Sequence, residues 1–352
     1  MNICIYYPDY LTKVGDAYDV HMIAKHLNKP GDSIFIICRA NNKISGSDNI
    51  FEYRSLFEAV LYLYKNRNKF DIIHLFCGLI PELGLISFLL RRLGVKYAYS
   101  PFGQLMPEAL RKGRLKKYPY TYFALRPLLK KASLVHVIST YEYTILSKLG
   151  ATNILTKPFG LSGYEVEANN RLPNNLQPNI VYIGRLDIWQ KGLDNLVGAV
   201  NIIRNDLTKR GIKVILCGRG DKKEIQQLNK LISHFNLSHL IEIRLNISEN
   251  EKSYLLSSSM YFIHPSRVEG FARSTREALN AGIPLITTYQ SNIGDIVQNY
   301  NAGFVSEQGV NNLSNCINSA IEVKMDFKRN KKMFIDITWA NLAKDLRSRY
   351  GA

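Results

Sequence analysis

The sequence predicts an α/β protein of two Rossmann-like domains in tandem with a ligand cleft between them. Three observations carry this expectation. Short β-type runs alternate with helical stretches along the first half and again along the second, the pattern of doubly wound units. Runs such as Ile34-Phe35-Ile36-Ile37 are apolar throughout rather than alternating, as parallel strands covered on both faces should be. The 352 residues exceed one ordinary domain and suffice for two cores.

Taken in order, the first series places strands at Asn2 to Tyr6, Ser33 to Cys38, Ile72 to Phe76, Lys96 to Ser100 and Leu134 to Ile138. Helices fall at Ala17 to Leu27, Ser55 to Asn66, Pro81 to Leu93 and Tyr141 to Leu149. From Tyr164 to Pro178 the chain carries acids, asparagines and prolines without apolar periodicity, which reads as a linker. Domain boundaries follow at 1–165, 166–178 and 179–330, with a terminal segment 331–352. The second series places strands at Ile180 to Ile183, Lys213 to Cys217, Ile241 to Leu245, Met260 to His264, Leu285 to Thr288 and Gly303 to Val305. Phe334 to Leu346 reads as one terminal helix, with Thr338 a candidate N-cap. No solenoid period or low-complexity tract is visible.

Composition fits a globular chain: 46% apolar and 21% charged residues. Five scattered cysteines, without a close pair, predict reduced thiols and a cytoplasmic setting rather than a disulfide framework or zinc site. The opening residues Met1 to Pro8 read as a strand, not a secretory segment. The run Leu79 to Leu90 is broken by Pro81 and Glu82 and falls short of a membrane span.

A net charge of +17 calls for an anionic partner or surface. Its sharpest concentration is Arg111, Lys112, Arg114, Lys116 and Lys117, continuing through Arg126 to Lys130 and Lys131, with no acid between Glu108 and Glu142. Tyr118, Tyr120, Tyr122 and Phe123 interleave. This stretch reads either as a peripheral patch meeting an anionic membrane or as a solvated basic helix face. Nucleic acid is the weaker reading, because no recognised binding motif accompanies the charge.

Two motifs carry chemistry. In Ser266-Arg267-Val268-Glu269-Gly270-Phe271-Ala272-Arg273-Ser274-Thr275-Arg276-Glu277, one carboxylate precedes a glycine turn and a second lies eight residues on. The turn runs into a helix expected at Thr275 to Ala281. A helix N-terminus favours phosphate, and carboxylates accept hydrogen bonds from sugar hydroxyls. In Asn179 to Asp187, a strand ends in Gly184-Arg185, and Lys191-Gly192 follows just before the next helix. An arginine fork and a lysine point charge so placed suit a diphosphate.

In these motifs the chain resembles the retaining, nucleotide-sugar-dependent glycosyltransferases of family 4, which have the GT-B architecture. The resemblance spans nearly the whole chain and is strongest from Asn179 to Thr288, including Cys217-Gly218-Arg219-Gly220 and Ala281-Gly282-Ile283-Pro284-Leu285-Ile286. It implies that Arg185 and Lys191 hold the donor diphosphate, that Glu269 contacts the donor sugar and that Glu277 bonds the ribose. Arg185, Lys191 and Glu269 are thus the candidate catalytic residues. Gly15, Gly184, Gly218, Arg219, Gly270, Phe271, Ala272, Arg273 and Glu277 are candidate donor-binding residues. Phe102 and Gly103 lie where the family has its acceptor-side loop, and the terminal helix is expected to cross back onto the first domain.

The chain departs from the family in places. Phe102 stands where a histidine often precedes the glycine, and its ring either packs or stacks on an acceptor. Only Gly15 remains of the usual glycine-rich loop, and a plain strand-to-helix turn explains it equally well. Leu245 replaces a common glycine and Asp295 a usual glutamate, which bears on the base pocket. His74 and His264 read first as structural histidines, with a role in the cleft as the lesser alternative. Without an Asp-x-Asp motif, the expectation is a nucleoside-diphosphate sugar co-substrate, no metal and no other cofactor. The acceptor expected is a glycan or lipid-linked hydroxyl, in surface polysaccharide or glycolipid synthesis, at the inner face of the cytoplasmic membrane. A dinucleotide-dependent oxidoreductase would need Gly-x-Gly-x-x-Gly, which neither half shows. A non-catalytic anion or nucleic-acid binder is the alternative.

Overall fold

The strands form because branched and aromatic runs bury both faces, and several helices begin at a Ser, Thr or Asp whose side chain caps them. The computed structural model describes residues 1–12, 16–40, 49–76, 78, 80–107, 119–161, 178–323 and 331–351. The chain divides into two compact units, 1–160 with 337–352, and 161–336.

The first unit runs β1 (Asn2–Tyr6), α1 (Asp16–Leu27), β2 (Ser33–Arg39), β3 (Ile50–Tyr53), α2 (Leu56–Asn66), β4 (Ile72–Phe76), α3 (Pro81–Arg92), β5 (Tyr97–Ser100), α4 (Arg126–Lys131), β6 (Leu134–Val137), α5 (Thr140–Leu149) and β7 (Ile154–Thr156). Its seven described strands are parallel in the order β3-β2-β1-β4-β5-β6-β7. One core cluster joins Ile73, Leu75, Tyr97, Tyr99, Val135 and Val137 of the sheet to Ala59 and Leu63 of α2, Ile86 and Leu90 of α3, and Leu128 and Leu129 of α4. Helices α2, α3 and α4 therefore cover the same face of the sheet. Ser55 and Ser139 cap α2 and α5, each accepting from the backbone three residues on.

The second unit runs β8 (Asn179–Arg185), α6 (Leu193–Ile202), α7 (Arg204–Arg210), β9 (Lys213–Arg219), α8 (Lys222–His234), β10 (Ile241–Leu245), α9 (Glu249–Ser258), β11 (Tyr261–His264), α10 (Arg273–Asn280), β12 (Leu285–Thr288), α11 (Gly294–Asn299), β13 (Gly303–Ser306), α12 (Val310–Val323) and α13 (Lys331–Asp336). Its six described strands are parallel in the order β10-β9-β8-β11-β12-β13. Strand β8 lies between β9 and β11, so the connections leaving its two neighbours run in opposite directions. In open α/β sheets this reversal is where ligands bind, beyond the carboxyl ends of the strands.

Three expectations change. Strands β3 and β7 were not foreseen; both are sheet edges of three or four residues, too short to show a periodic run. The first unit ends at Gly160, not residue 165, and the linker stretch from 162 to 177 lies outside the described residues. The terminal helix is two helices, α13 and α14 (Trp339–Tyr350), with Phe334 to Asp336 in the earlier one. The break is a capping event: Thr338 is extended, and its hydroxyl accepts from Asn341 N–H at 3.0 Å.

Helix α14 belongs to the first unit, whereas α13 stays with the second. The buried Trp339 ring stacks on Phe159, and its atoms leave no room for a side chain at Gly160. Arg347 Nη2 donates to Asp32 Oδ1 at 2.9 Å, and the buried Tyr350 hydroxyl pairs with His74 Nδ1. His74 Nε2 lies 2.8 Å from Ser100 Oγ, which lies 3.0 Å from His136 Nδ1. His74 thus has the structural role its sequence position indicated, and burial lowers its pKa and keeps it neutral.

Candidate active site

The candidate residues of the second unit gather where β8, β9 and β11 end. Gly184 and Gly218 are paired in register, as are Arg185 and Arg219 behind them. A Cβ on Gly218, whose φ is +152°, would lie 1.7 Å from the Gly184 carbonyl oxygen, so the strand ends meet there only without a side chain. The chain continues through Leu186, whose N–H donates to Arg219 O at 2.7 Å.

A tight loop then presents Lys191. Gln190 N–H donates to Asp187 Oδ1 at 2.7 Å, and Lys191 N–H to Asp187 O at 3.1 Å. Gly192 follows with φ +67°, and a Cβ there would sit 2.1 Å from Pro265 O. The loop after β11 is fastened to this one. Arg267 N–H donates to Gln190 O at 2.9 Å, and its guanidinium spans both Asp194 carboxylate oxygens at 2.6 and 2.8 Å.

This docking brings Lys191 and Glu269 together: the ammonium donates to Glu269 Oε2. His264 Nε2 lies 3.3 Å from the same oxygen and 3.0 Å from Ser266 Oγ. Asn292 Nδ2 donates to the Glu269 carbonyl at 2.7 Å, fixing the backbone. Burial pushes the Glu269 carboxyl up, but the His264 hydrogen bond and the Lys191 charge outweigh it and hold its pKa at about 2. Burial acts the other way on His264 and lowers its pKa, against the raising influence of Glu269. Glu269 is therefore an acceptor-only group near neutral pH, oriented by a neutral imidazole and a cation.

Arg185 stands beside this pair with its side chain 60% exposed, donating to Gln190 Oε1 at 2.5 Å and lying 3.6 Å from Asp187. Three of the four principal candidates thus share one network, with Gln190 linking Arg185 to the Lys191 loop. Glu277 is held differently. It lies in α10, mostly buried, between Lys252 Nζ at 3.2 Å and Arg273 Nε at 3.3 Å. No hydrogen bond or ion pair joins it to Glu269 among the described residues. Arg273, half exposed, opens α10, whose N-cap residue Ala272 supplies no side-chain acceptor. Gly270, Phe271 and Ala272 lead into that positive helix end, and Arg219 is exposed at the end of β9.

In the first unit, Phe102 is 2% exposed and packs on Phe76 and Phe159. Of its two readings, packing is the one the structure bears, because the ring lies inside an aromatic stack. Its backbone is left-handed (φ 54°), as is that of Gly103 (φ 72°). Glu142 Oε1 accepts from Gly103 N–H at 2.7 Å and Oε2 from Ile138 N–H at 3.0 Å, pinning this turn to α5. Gly15 lies outside the described residues, as do Arg111, Lys112, Arg114, Lys116 and Lys117; Lys130 and Lys131 end α4.

Sequence reasoning did not find Gln190, Asn292, Lys252 or Glu142, and favoured a structural part for His264 over a role in the cleft. Only His264 carried a usable signal, as the polar end of an apolar strand five residues before Glu269. The others act across loops that no local pattern connects.

Residues 165–334 match the family model described as glycosyl transferases group 1. Among curated proteins no relative matches the chain. The whole chain is similar in fold to solved structures. A sucrose-phosphate synthase from Thermosynechococcus elongatus superposes with a TM-score of 0.72 at 18% identity, over 99% of this chain and 98% of that one. A lipopolysaccharide outer core galactosyltransferase gives 0.76 at 13% identity, over 99% of each chain. Anabaena HepE, solved with UDP and glucose, gives 0.70 at 16% identity, over 99% and 98%. The fold is that of the GT-B glycosyltransferases.

Proposed function

We propose that this GT-B glycosyltransferase, with its group 1 segment at 165–334, transfers a hexosyl unit from a nucleoside-diphosphate sugar to a hydroxyl acceptor with retention. The observation that carries the reading is the Lys191–Glu269 pair beside Arg185 at the β8/β11 switch point. A nucleotide-sugar donor is further supported by the fold shared with HepE, which was solved with UDP-glucose.

In this reading the donor diphosphate takes Lys191 and Arg185, and backbone N–H groups at the start of α10 add to them. Glu269, released from its cation, accepts a hydroxyl of the sugar, while His264 keeps the carboxylate oriented. Glu277 accepts from the ribose. The bond from the anomeric carbon to the diphosphate oxygen breaks as the acceptor oxygen bonds the same face. The acceptor proton passes to the departing diphosphate. Charge on that leaving group is neutralised by side chains, so turnover needs no divalent metal. A glycan or lipid-linked acceptor at an anionic membrane surface is part of the same proposal, motivated by the basic charge.

A panel of nucleoside-diphosphate sugars, read by thermal shift and then by turnover, tests it. The expected result is stabilisation by one donor class, lost in Lys191→Ala and Glu277→Ala. Wild-type turnover in both variants, or stabilisation by nucleic acid alone, would refute the reading.

A further inference from the structure

A charged concavity lies in the first unit. It is a cavity of about 960 Å³ lined by Arg91, Arg92, Lys96, Arg126, Lys130 and Lys131, with no carboxylate in its wall. It sits at the amino-terminal ends of β5 and β6, where Lys96 and Ser133 enter the sheet. The Phe102–Gly103 turn follows the opposite, carboxyl end of β5. None of these six cations forms an ion pair among the described residues; Lys96 instead donates to Tyr350 O at 3.1 Å.

Aromatic rings rim the cavity and order its cations. The Arg92 guanidinium lies 5.3 Å from the Phe88 ring centroid, and Arg126 lies 5.3 Å from that of Tyr122. Phe88, Tyr122 and Phe123 are 48%, 56% and 76% exposed. On α2, exposed Phe57, Leu61 and Tyr64 form a stripe at helical spacing. Because α2 and α3 bury their other faces in one cluster, Phe57, Leu61, Tyr64 and Phe88 lie on the outer side of one helical layer, and Tyr122 and Phe123 are exposed on the helical turn Thr121–Leu125 that leads into α4.

We propose that this face docks on an anionic bilayer, with the cationic groove taking lipid phosphate headgroups and the exposed rings entering the interface. A soluble phosphate needs the cations but not large apolar rings beside them. A bilayer surface uses both, through charge attraction and through rings at headgroup depth. The inference deepens the membrane reading above and rests on it: the structure joins Arg91, Arg92, Lys96 and Phe88 to the Arg126, Lys130 and Lys131 end of the basic stretch, and the docking needs no sugar transfer.

The test is co-sedimentation of the full chain with phosphatidylglycerol or phosphatidylcholine vesicles, with circular dichroism and donor thermal shift as folding and donor-site controls. The wild type is expected to bind the anionic vesicles selectively. The triple variant Arg92→Ala, Arg126→Ala, Lys130→Ala should lower partitioning by roughly a hundredfold, at about fivefold per cation. Phe123→Ser should weaken it with all charges intact, and donor stabilisation should persist in both variants. Unchanged partitioning in the triple variant overturns the proposal. So does loss only on neutralising residues 111–117, release by millimolar inorganic phosphate, or preference for a short RNA over vesicles. Loss of donor stabilisation in the wild type would instead strike the catalytic reading alone.

Discussion

The ammonium of Lys191 and the carboxylate of Glu269, 78 residues apart in sequence, are bonded to one another. A group suited to a phosphate and a group suited to a sugar hydroxyl therefore neutralise each other. Both side chains are largely buried, at 11% and 16% exposure, so neither charge is well solvated without the other.

On the proposed function, Lys191→Ala is expected to reduce kcat by about two to three orders of magnitude, because one donor to the leaving group would be lost. It should also alter acid stability. Glu269 has its carboxyl lowered from 4.5 to about 2, so its contribution is complete above pH 4.5 and disappears as pH falls through about 2. Urea unfolding midpoints between pH 7 and pH 3 should show an acid limb that is shallower in Glu269→Gln, by on the order of 1–3 kcal/mol at neutral pH. Superimposable limbs would show that the pair is not coupled to folding.

Glu142 gives the opposite sign. Burial raises its carboxyl from 4.5 to about 7, against the Ile138 and Gly103 N–H groups. The unfolded chain ionises first, so this residue lowers stability progressively as pH rises from about 4.5 to about 7, and the loss stays constant above. Glu142→Gln should flatten that part of the melting profile. Glu142→Ala should further free the Phe102–Gly103 turn, visible as faster amide exchange at Gly103.

Gly192→Ala tests the docking of the two loops. Its Cβ would meet Pro265 O at 2.1 Å and would hold a left-handed backbone, itself worth about 1–2 kcal/mol for a non-glycine residue. The loop must shift and carry Lys191 away from Glu269. Turnover should fall at least tenfold while far-ultraviolet circular dichroism stays native. Full activity would mean the pairing is not needed in the donor complex.

Thr338→Ala removes the cap that starts α14. The expected cost is about 1 kcal/mol, read as a lower denaturant midpoint at unchanged slope. A change in slope would point instead to α14 leaving the sheet of the first unit.

Much of the fold was legible because its signals are local. Apolar runs such as Ile34 to Ile37 identified buried parallel strands, and Thr338 announced a helix start. Edge strands β3 and β7 gave no such signal, since a few half-exposed residues show no period. At the site, Arg185, Lys191 and Glu269 could be named from glycine turns at strand ends. Gln190 and Asn292, which hold those residues in place, could not.

The sequence by itself determined the α/β class, the two series of strands and the kinds of side chain available to an anionic sugar ligand. These follow from side-chain period and turn chemistry, which act over a few residues. Tertiary structure alone decided that Lys191 meets Glu269, that Phe102 is buried, and that six separated cations line one groove. The physical reason is strand order: a parallel sheet places β8 beside β11 whatever their distance along the chain, and contacts between their loops exist only once it has assembled.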